Sequence, residues 1–153
     1  MTTHEYDVRD VARLITDIAE RVDLIEGTAH LALVADVSKT QQVLRVDTLR
    51  TPAEIFDDDE PREELMAIVE RWSIPWVPGK RPTHTPVLVV VRAGLCVFGP
   101  NESTWLMAER YANHLADLWT MQLILVTEHG WLDFMTYDAG LTPALVPAPS
   151  RAT

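Results

Sequence analysis

Aliphatic residues recur at intervals of three and four positions near the start of the chain, which predicts an amphipathic helix over residues 7–25. Charged residues occupy most of the intervening positions, so we expect one face to contact a core and the other to contact water. Asp7 is the predicted N-terminal cap, and Gly27 lies where the helix has to end. The stripe consists of Val8, Val11, Ile15, Ile18, Ala19, Val22 and Ile25.

Short apolar segments predict the strands. Residues 29–37 are apolar and partly β-branched, residues 42–49 partly alternate, and a polar turn separates them, so we predict an antiparallel hairpin. The segment Val87–Val91 is apolar at every position, which is typical of a central strand buried on both faces. Residues 121–127 predict another buried strand, which residues 131–137 can join as a second hairpin.

Two further segments have helical periodicity. Leu65, Ile68, Val69 and Trp72 predict a helix from about 61 to 72. The acidic run just before it fits the attraction of carboxylates to a helix N-terminus and needs no cation. The segment from 103 to about 119 has apolar side chains over roughly 180° of its circumference, where a surface helix has nearer 100°. We therefore expect this helix to be covered on two sides.

The order helix, hairpin, helix, strand, helix, hairpin predicts an α/β fold, with a mixed β-sheet of hairpins and a buried central strand and helices on both faces. A chain of 153 residues is expected to form one core. We predict a single domain over 1–137. Residues 138–153 contain three prolines and almost no charge, which predicts a flexible proline-rich tail.

Composition narrows the choice of partners. The chain has 23 acidic against 13 basic side chains, a net charge of -10, and only two lysines, so binding to nucleic acid is not expected. No apolar run is long enough to span a membrane. A single cysteine, Cys96, excludes an internal disulfide, and these features predict a cytoplasmic protein. Partners with basic or neutral surfaces fit the charge best.

Residues with catalytic potential are scattered. The five histidines lack the spacing of a metal site on one helix, and Cys96 lies between two aliphatic residues as structural cysteines often do. We predict no cofactor, no metal and no catalytic residue. One alternative stays open, a hydrolytic or ligand-binding site assembled from Glu128, His129 and Asp133. The turn of a hairpin explains these polar residues equally well.

Tryptophan is the abundant aromatic residue, with five in the chain. This residue is enriched both in cores and at binding hot spots. We take Trp105, Trp119 and Trp131 as interface candidates, with core packing as the alternative for each. Trp105 is the foremost because it lies near the edge of the wide apolar arc.

The segment Val87–Phe134 resembles the RadC-like branch of the JAB/MPN metalloprotease-fold family in its strand, its helix opening at Pro100 and its final hairpin. This resemblance implies a JAB/MPN or cytidine-deaminase-like layered sandwich. The family binds zinc through two histidines and an aspartate, and the matching positions here are Val91, Ala93 and Thr104. Aliphatic side chains cannot ligate a metal, so the resemblance implies a metal-free relative without peptidase activity.

These features lead to one leading hypothesis and two alternatives. The leading hypothesis is a non-catalytic α/β domain that serves as a protein-interaction or assembly module, with a protein partner or a second copy in a homodimer. The first alternative is an acidic inhibitor or immunity-type protein that covers a basic partner. The second is a hydrolase with a site assembled from dispersed residues.

Overall fold

The computed structural model describes residues 7–74, 79–116 and 121–146, except for the side chains of 113–116. Within these residues, three helices and six strands follow one another. Their bounds are α1 Val11–Ala19, β1 Thr28–Ala35, β2 Gln42–Thr48, α2 Asp59–Trp72, β3 His84–Val91, α3 Pro100–Ala116, β4 Gln122–Thr127, β5 Gly130–Asp133 and β6 Ala139–Gly140.

The strands form one mixed sheet in the order β2-β1-β3-β4-β5-β6. β3 and β4 run parallel, and the other neighbouring pairs run antiparallel. The predicted α/β class, the mixed sheet and both hairpins are confirmed. β3 is the buried strand that its uninterrupted apolar sequence predicts, because Val87 to Val91 are all fully buried.

The side chains of β3 alternate between two cores, one on each face of the sheet. Leu88 and Val90 belong to the cluster that packs beneath α2 and α3. Val87, Val89 and Val91 belong to the cluster beneath α1. Helices therefore cover both faces, and this burial stabilises each aliphatic side chain by about 1.5–3 kcal/mol.

The first helix is shorter than its periodicity predicts. It covers Val11–Ala19 rather than 7–25, and its cap is Asp10, whose carboxylate accepts from Arg13 N at 3.1 Å. Gln41 fixes the chain just before the helix, because its side chain accepts from Asp10 N at 2.8 Å and donates to Asp10 O at 2.9 Å. Val22 still packs against the α1 core, so the apolar periodicity outlasts the helix.

The other two helices begin earlier than predicted. α2 includes two residues of the acidic run in its first turn, Asp59 and Glu60, as the helix dipole favours. α3 begins at Pro100, and proline suits a first helical position because it has no amide to leave unpaired. The predicted end of α3 at about Trp119 lies outside the described residues.

Coverage of α3 on two sides, as its wide apolar arc predicts, does not occur within the described chain. Trp105, Ala108 and Ala112 are buried in the core beneath the helix. Met107 and Tyr111 on the same arc are about half exposed. Arg62 of α2 lies over the Tyr111 ring, 4.9 Å from its centroid, and gives this ring a cation–π contact.

Residues 138–146, in the segment predicted as a tail, pack on the sheet. Ala139–Gly140 pairs with β5 as the short edge strand β6. Leu145 N donates to Thr127 O at 2.9 Å, and the Leu145 side chain is buried in the α1 core. The remainder of the predicted tail, 147–153, lies outside the described residues. Among the described helices, none combines the length and apolar character that crossing a membrane requires.

Candidate functional site

The parallel strands β3 and β4 end side by side, and this edge is where α/β proteins most often place functional groups. Arg92 follows β3 directly, and its amide donates to Val126 O at 3.1 Å, which keeps the strand ends together. The connection 93–99 then leads from β3 to the start of α3. We call this connection the β3–α3 loop.

Arg92 organises the β3–α3 loop from within. Its Nη1 donates to the carbonyl oxygens of Ala93 and Leu95, at 3.1 and 3.2 Å, and its Nη2 donates to Val97 O at 2.9 Å. Nη2 and Nε also donate to the two carboxylate oxygens of Glu102, at 2.7 and 3.1 Å. These bonds use all five N–H groups of the guanidinium, so it has no donor left for a ligand.

The carboxylate oxygens of Glu102 are likewise fully occupied by hydrogen bonds. This residue of the first turn of α3 is fully buried. Its Oε1 accepts from Arg92 and from Gly99 N, the latter at 3.0 Å, and its Oε2 accepts from Arg92 and from Asn101 Nδ2 at 2.9 Å. Two donors on each oxygen saturate the carboxylate, and it has no free lone pair with which to take a proton from a substrate.

The electrostatics of the pair hold both groups in their charged forms. Burial acts to raise the pKa of Glu102, but the hydrogen bonds from Arg92, Asn101 and Gly99 N outweigh it, so the pKa lies below its usual value. The hydrogen bond to Glu102 raises the pKa of Arg92. Neither group exchanges protons near neutral pH, so the pair is a structural anchor and not a reactive centre.

Asn101 connects this anchor to the chain between β2 and α2. Its Oδ1 accepts from Ile55 N at 2.8 Å, and its Nδ2 donates to Ala53 O at 2.7 Å. Trp105 Nε1 donates to the same Ala53 oxygen at 2.8 Å. A cleft of about 470 Å³ lies between residues 54–56 and the start of α3, and Arg92 and Glu102 lie at its base.

Four large apolar side chains are exposed around this anchor. Phe56 is fully exposed, Leu95 is 71% exposed, and Ile25 and Val97 are 57% and 56% exposed. We call Ile25, Phe56, Leu95 and Val97 the apolar end surface. Contiguous patches of exposed apolar side chains mark binding surfaces, whereas single exposed apolar residues are normal.

Hydrogen bonds hold the three segments that carry the apolar end surface at the same end of the sheet. Gly27 N donates to Val91 O at 2.8 Å, which places Ile25 beside the end of β3. Ala53 N donates to Gly27 O at 3.1 Å, which brings the segment before Phe56 to the same place. Arg92 fixes the loop carrying Leu95 and Val97. The surface is therefore preorganised by backbone hydrogen bonds and by the hydrogen bonds of the Arg92 side chain.

Carboxylates surround the apolar end surface. Glu26 and Glu54 are exposed in the same segments as Ile25 and Phe56. Glu128, just after β4, accepts from Gly94 N at 3.0 and 3.1 Å, and His129 Nε2 lies 3.5 Å from it. Bonds from its own amide and from Gly94 N lower the pKa of Glu128, so it is charged at neutral pH. The surface has an apolar centre and an acidic rim.

The dispersed site proposed from Glu128, His129 and Asp133 is not assembled. Glu128 and His129 are neighbours at the turn, which the Thr127–Gly130 pair closes. Asp133 pairs with Ile124, which is three positions further along the ladder, or roughly 10 Å from the Thr127–Gly130 pair. Asp133 is fully buried, its Oδ1 accepts from Met135 N at 2.9 Å, and burial raises its pKa. Within 7–74, 79–116 and 121–146, no three His, Cys, Asp or Glu side chains are grouped to hold a metal.

The positions matched to zinc ligands offer neither an imidazole nor a carboxylate to a cation. Val91 is fully buried, Ala93 is exposed, and the hydroxyl of Thr104 donates to Pro100 O at 3.0 Å. Cys96 is half-buried in the same loop, and burial raises the pKa of its thiol. A raised pKa keeps the thiol protonated at neutral pH, which is the unreactive form.

Trp105 and Trp131, two of the interface candidates, lie in the interior. Trp105 is fully buried, which corrects its choice as the foremost interface residue. Trp131 is 7% exposed, and its Nε1 donates to Thr142 O at 2.9 Å. Both indoles have their polar group paired within the chain, so neither side chain is presented to a partner on this surface. Trp119 lies outside the described residues.

Sequence reasoning did not single out Arg92, Glu102 or Phe56. Two signals were available: an arginine directly after a fully apolar strand, and a glutamate in the first turn of the next helix. Comparison of the chain with protein-family models, with curated proteins and with solved structures finds no match.

Proposed function

We propose that this chain is a non-catalytic interaction module that binds a protein partner through the apolar end surface. The observation that carries the proposal is the mutual saturation of Arg92 and Glu102 beneath exposed Phe56, Leu95 and Val97. At the edge where an α/β enzyme places reactive groups, Arg92 and Glu102 make all of their hydrogen bonds within the chain. The β3–α3 loop that they fix exposes two large apolar side chains, Leu95 and Val97.

The chemistry of the partner follows from the acidic rim. Glu26, Glu54 and Glu128 surround the apolar centre, and the whole chain has a net charge of -10. Two copies placed end to end would oppose like charges across the contact, which disfavours a homodimer through this surface. A partner with an apolar patch and a basic border fits it. The first alternative named above, an inhibitor that covers a basic active site, would bind its partner through the same complementarity of charge.

The proposal also includes the resemblance to the RadC-like JAB/MPN family. It treats this chain as a metal-free relative with the layered sandwich of that family, supported by the element order and by the lack of an imidazole or carboxylate at Val91, Ala93 and Thr104. Elemental analysis of the purified protein tests this part. The expected result is far less than one zinc per chain, and stoichiometric zinc would overturn it.

Size-exclusion chromatography of a native cell extract, with immunodetection of the chain at its natural level, tests the interaction. The wild type is expected to elute well above the 17.3 kDa monomer. Phe56→Ser/Leu95→Ser is expected to elute as a monomer because the partner loses its apolar contact. Leu141→Ser is the matched control, since Leu141 is 82% exposed on a different segment and its change should leave the elution unaltered.

Three results decide against the proposal. Elution of the wild type as a monomer in the extract would remove its support. Equal loss of the complex in Leu141→Ser would show that general surface hydrophobicity is responsible. Dimerisation of the purified chain, measured by light scattering, would replace the basic partner by a second copy.

A further inference from the structure

The strand β2 is an open edge of the sheet. Among the described residues it has a strand neighbour on one side only, which is β1. Leu49 N donates to Ala29 O at 2.9 Å, so odd-numbered positions at this end of the hairpin bond to β1. In an antiparallel pair the alternate residues direct their amides and carbonyls outwards. Val46 and Thr48 therefore present two N–H and two C=O groups away from the sheet.

The backbone on either side of this open stretch is already capped. The Arg21 guanidinium donates to Val43 O at 2.8 Å and to Leu44 O at 3.1 Å. At the other end, the Glu64 carboxylate accepts from Arg50 N and from Thr51 N. Exposed edges are normally protected because unpaired groups recruit other strands. Here the residues on both sides are protected, whereas the backbone of Val46 and Thr48 is not protected by any described residue.

A groove of about 1300 Å³ runs between this edge and α2. Five carboxylates and two guanidiniums line it, which leaves three net negative charges. Asp47 is occupied within the chain, since it accepts from Trp72 Nε1 at 2.6 Å. Three of the carboxylates are exposed on α2 and face the groove, namely Glu60, Glu63 and Glu70. None of the three forms an ion pair with another described residue.

We propose that this groove binds an extended segment of a partner chain in which lysine or arginine alternates with apolar residues. The segment adds as a strand to β2, with Val46 and Thr48 supplying the backbone bonds and α2 selecting positive side chains. A second copy of β2 is disfavoured because its groove has the same negative charge. The groove is separate from the apolar end surface, so each can fail without the other.

Fluorescence anisotropy with a labelled peptide of alternating lysine and valine tests the proposal, with the glutamate–valine analogue as the comparison. The lysine peptide is expected to bind, and to bind more weakly as salt rises. Thr48→Pro is expected to abolish binding, because it removes an outward amide without breaking the ladder to β1. Glu63→Gln/Glu70→Gln is expected to weaken binding about fivefold to tenfold, as the loss of two exposed ion pairs predicts.

The controls separate this groove from other surfaces. Asp17→Asn/Glu20→Gln removes the same charge from α1 and should leave the affinity unchanged, as should Phe56→Ser/Leu95→Ser. The charge variants alter only exposed side chains, so they decide the question even where Thr48→Pro unfolds. No binding of the lysine peptide, equal binding of the glutamate peptide, or a chain dimer that Thr48→Pro abolishes would overturn the proposal.

Discussion

The Arg92 guanidinium and the Glu102 carboxylate meet in two hydrogen bonds of 2.7 and 3.1 Å, and neither group has a free donor or acceptor beyond its contacts with the loop. Glu102 is fully buried, and the Arg92 side chain is 15% exposed. A buried pair of this kind determines which conformation the loop adopts, because any other arrangement leaves a charge without a partner. It therefore fixes the positions of Leu95 and Val97.

Removal of one partner of the Arg92–Glu102 pair is expected to lower the stability of the fold strongly. Arg92→Met leaves Glu102 buried as an unpaired charge and should lower the free energy of unfolding by about 3–5 kcal/mol. Urea unfolding followed by circular dichroism measures this. Arg13→Met is the control, because the Arg13–Asp17 pair at 3.8 Å is on the surface, and its loss should cost about 1 kcal/mol or less.

Replacement of both Arg92 and Glu102 separates the cost of an unpaired buried charge from the cost of the lost hydrogen bonds to the loop. Arg92→Met/Glu102→Leu should recover a large part of the stability, since two apolar side chains need no counter-charge. The loop then loses the bonds from Arg92 to its carbonyls, so hydrogen exchange at residues 93–99 should stay faster than in the wild type. Additive effects of the two single changes would contradict the strong coupling that we describe.

A buried carboxyl on α3 gives the fold a pH dependence. Glu109 is 1% exposed, its two oxygens have no hydrogen-bond partner in the described part of the chain, and burial raises its pKa well above 4.5. The folded chain therefore holds a proton that the unfolded chain releases above pH 4.5. The contribution of Glu109 to stability then falls as pH rises from 4.5 towards its folded pKa.

Glu109→Met should remove that dependence. We expect the variant to exceed the wild type by about 1–3 kcal/mol in unfolding free energy at pH 7, because it neither takes up a proton on folding nor buries an unpaired polar group. The difference should shrink towards pH 4, where the wild-type carboxyl is neutral in both states. Urea titrations at several pH values measure it, with the exposed Glu63→Met as control. A difference that does not vary with pH would refute the assignment.

The last hairpin contains a glycine that nothing larger can replace. Gly130 has φ +121°, and a Cβ there would overlap the Gly140 carbonyl oxygen. Gly130→Ala should destabilise the chain by about 2 kcal/mol or more, from backbone strain together with separation of β5 and β6. Gly27→Ala is the control, since Gly27 has φ +88° but open space around it. Equal thermal shifts for the two variants would show that β6 does not pack as described.

Trp105 should act on stability alone. Trp105→Ala is expected to cost about 3–5 kcal/mol, because it leaves a cavity beside Ala53 and removes one of the two hydrogen bonds to the Ala53 carbonyl. Phe56→Ala, at a fully exposed aromatic, should change unfolding by about 0.5 kcal/mol or less. The two aromatics thus have opposite roles, one in folding and one in binding. A large effect of Phe56 on unfolding would contradict this division.

The sequence predicts the parts of this fold that depend on neighbouring positions. The burial of β3 follows from five consecutive apolar residues, and both hairpins follow from their turns. The start of α1 could not be predicted, because Gln41 fixes Asp10 from 31 positions away. Hydrophobicity alone also ranks Trp105 above Phe56 as a binding residue. Only the three-dimensional packing shows that the first is buried and the second is exposed.

Site-specific photo-crosslinking tests the central claim, that the apolar end surface binds a protein, most directly. A benzophenone amino acid placed at Leu95 in native cells should form a covalent adduct with a partner that carries a basic surface. The adduct should be lost in the presence of Phe56→Ser, and the same probe at Leu141 should form none. Absence of any adduct from Leu95, or an equal pattern of adducts from Leu141, would contradict the account.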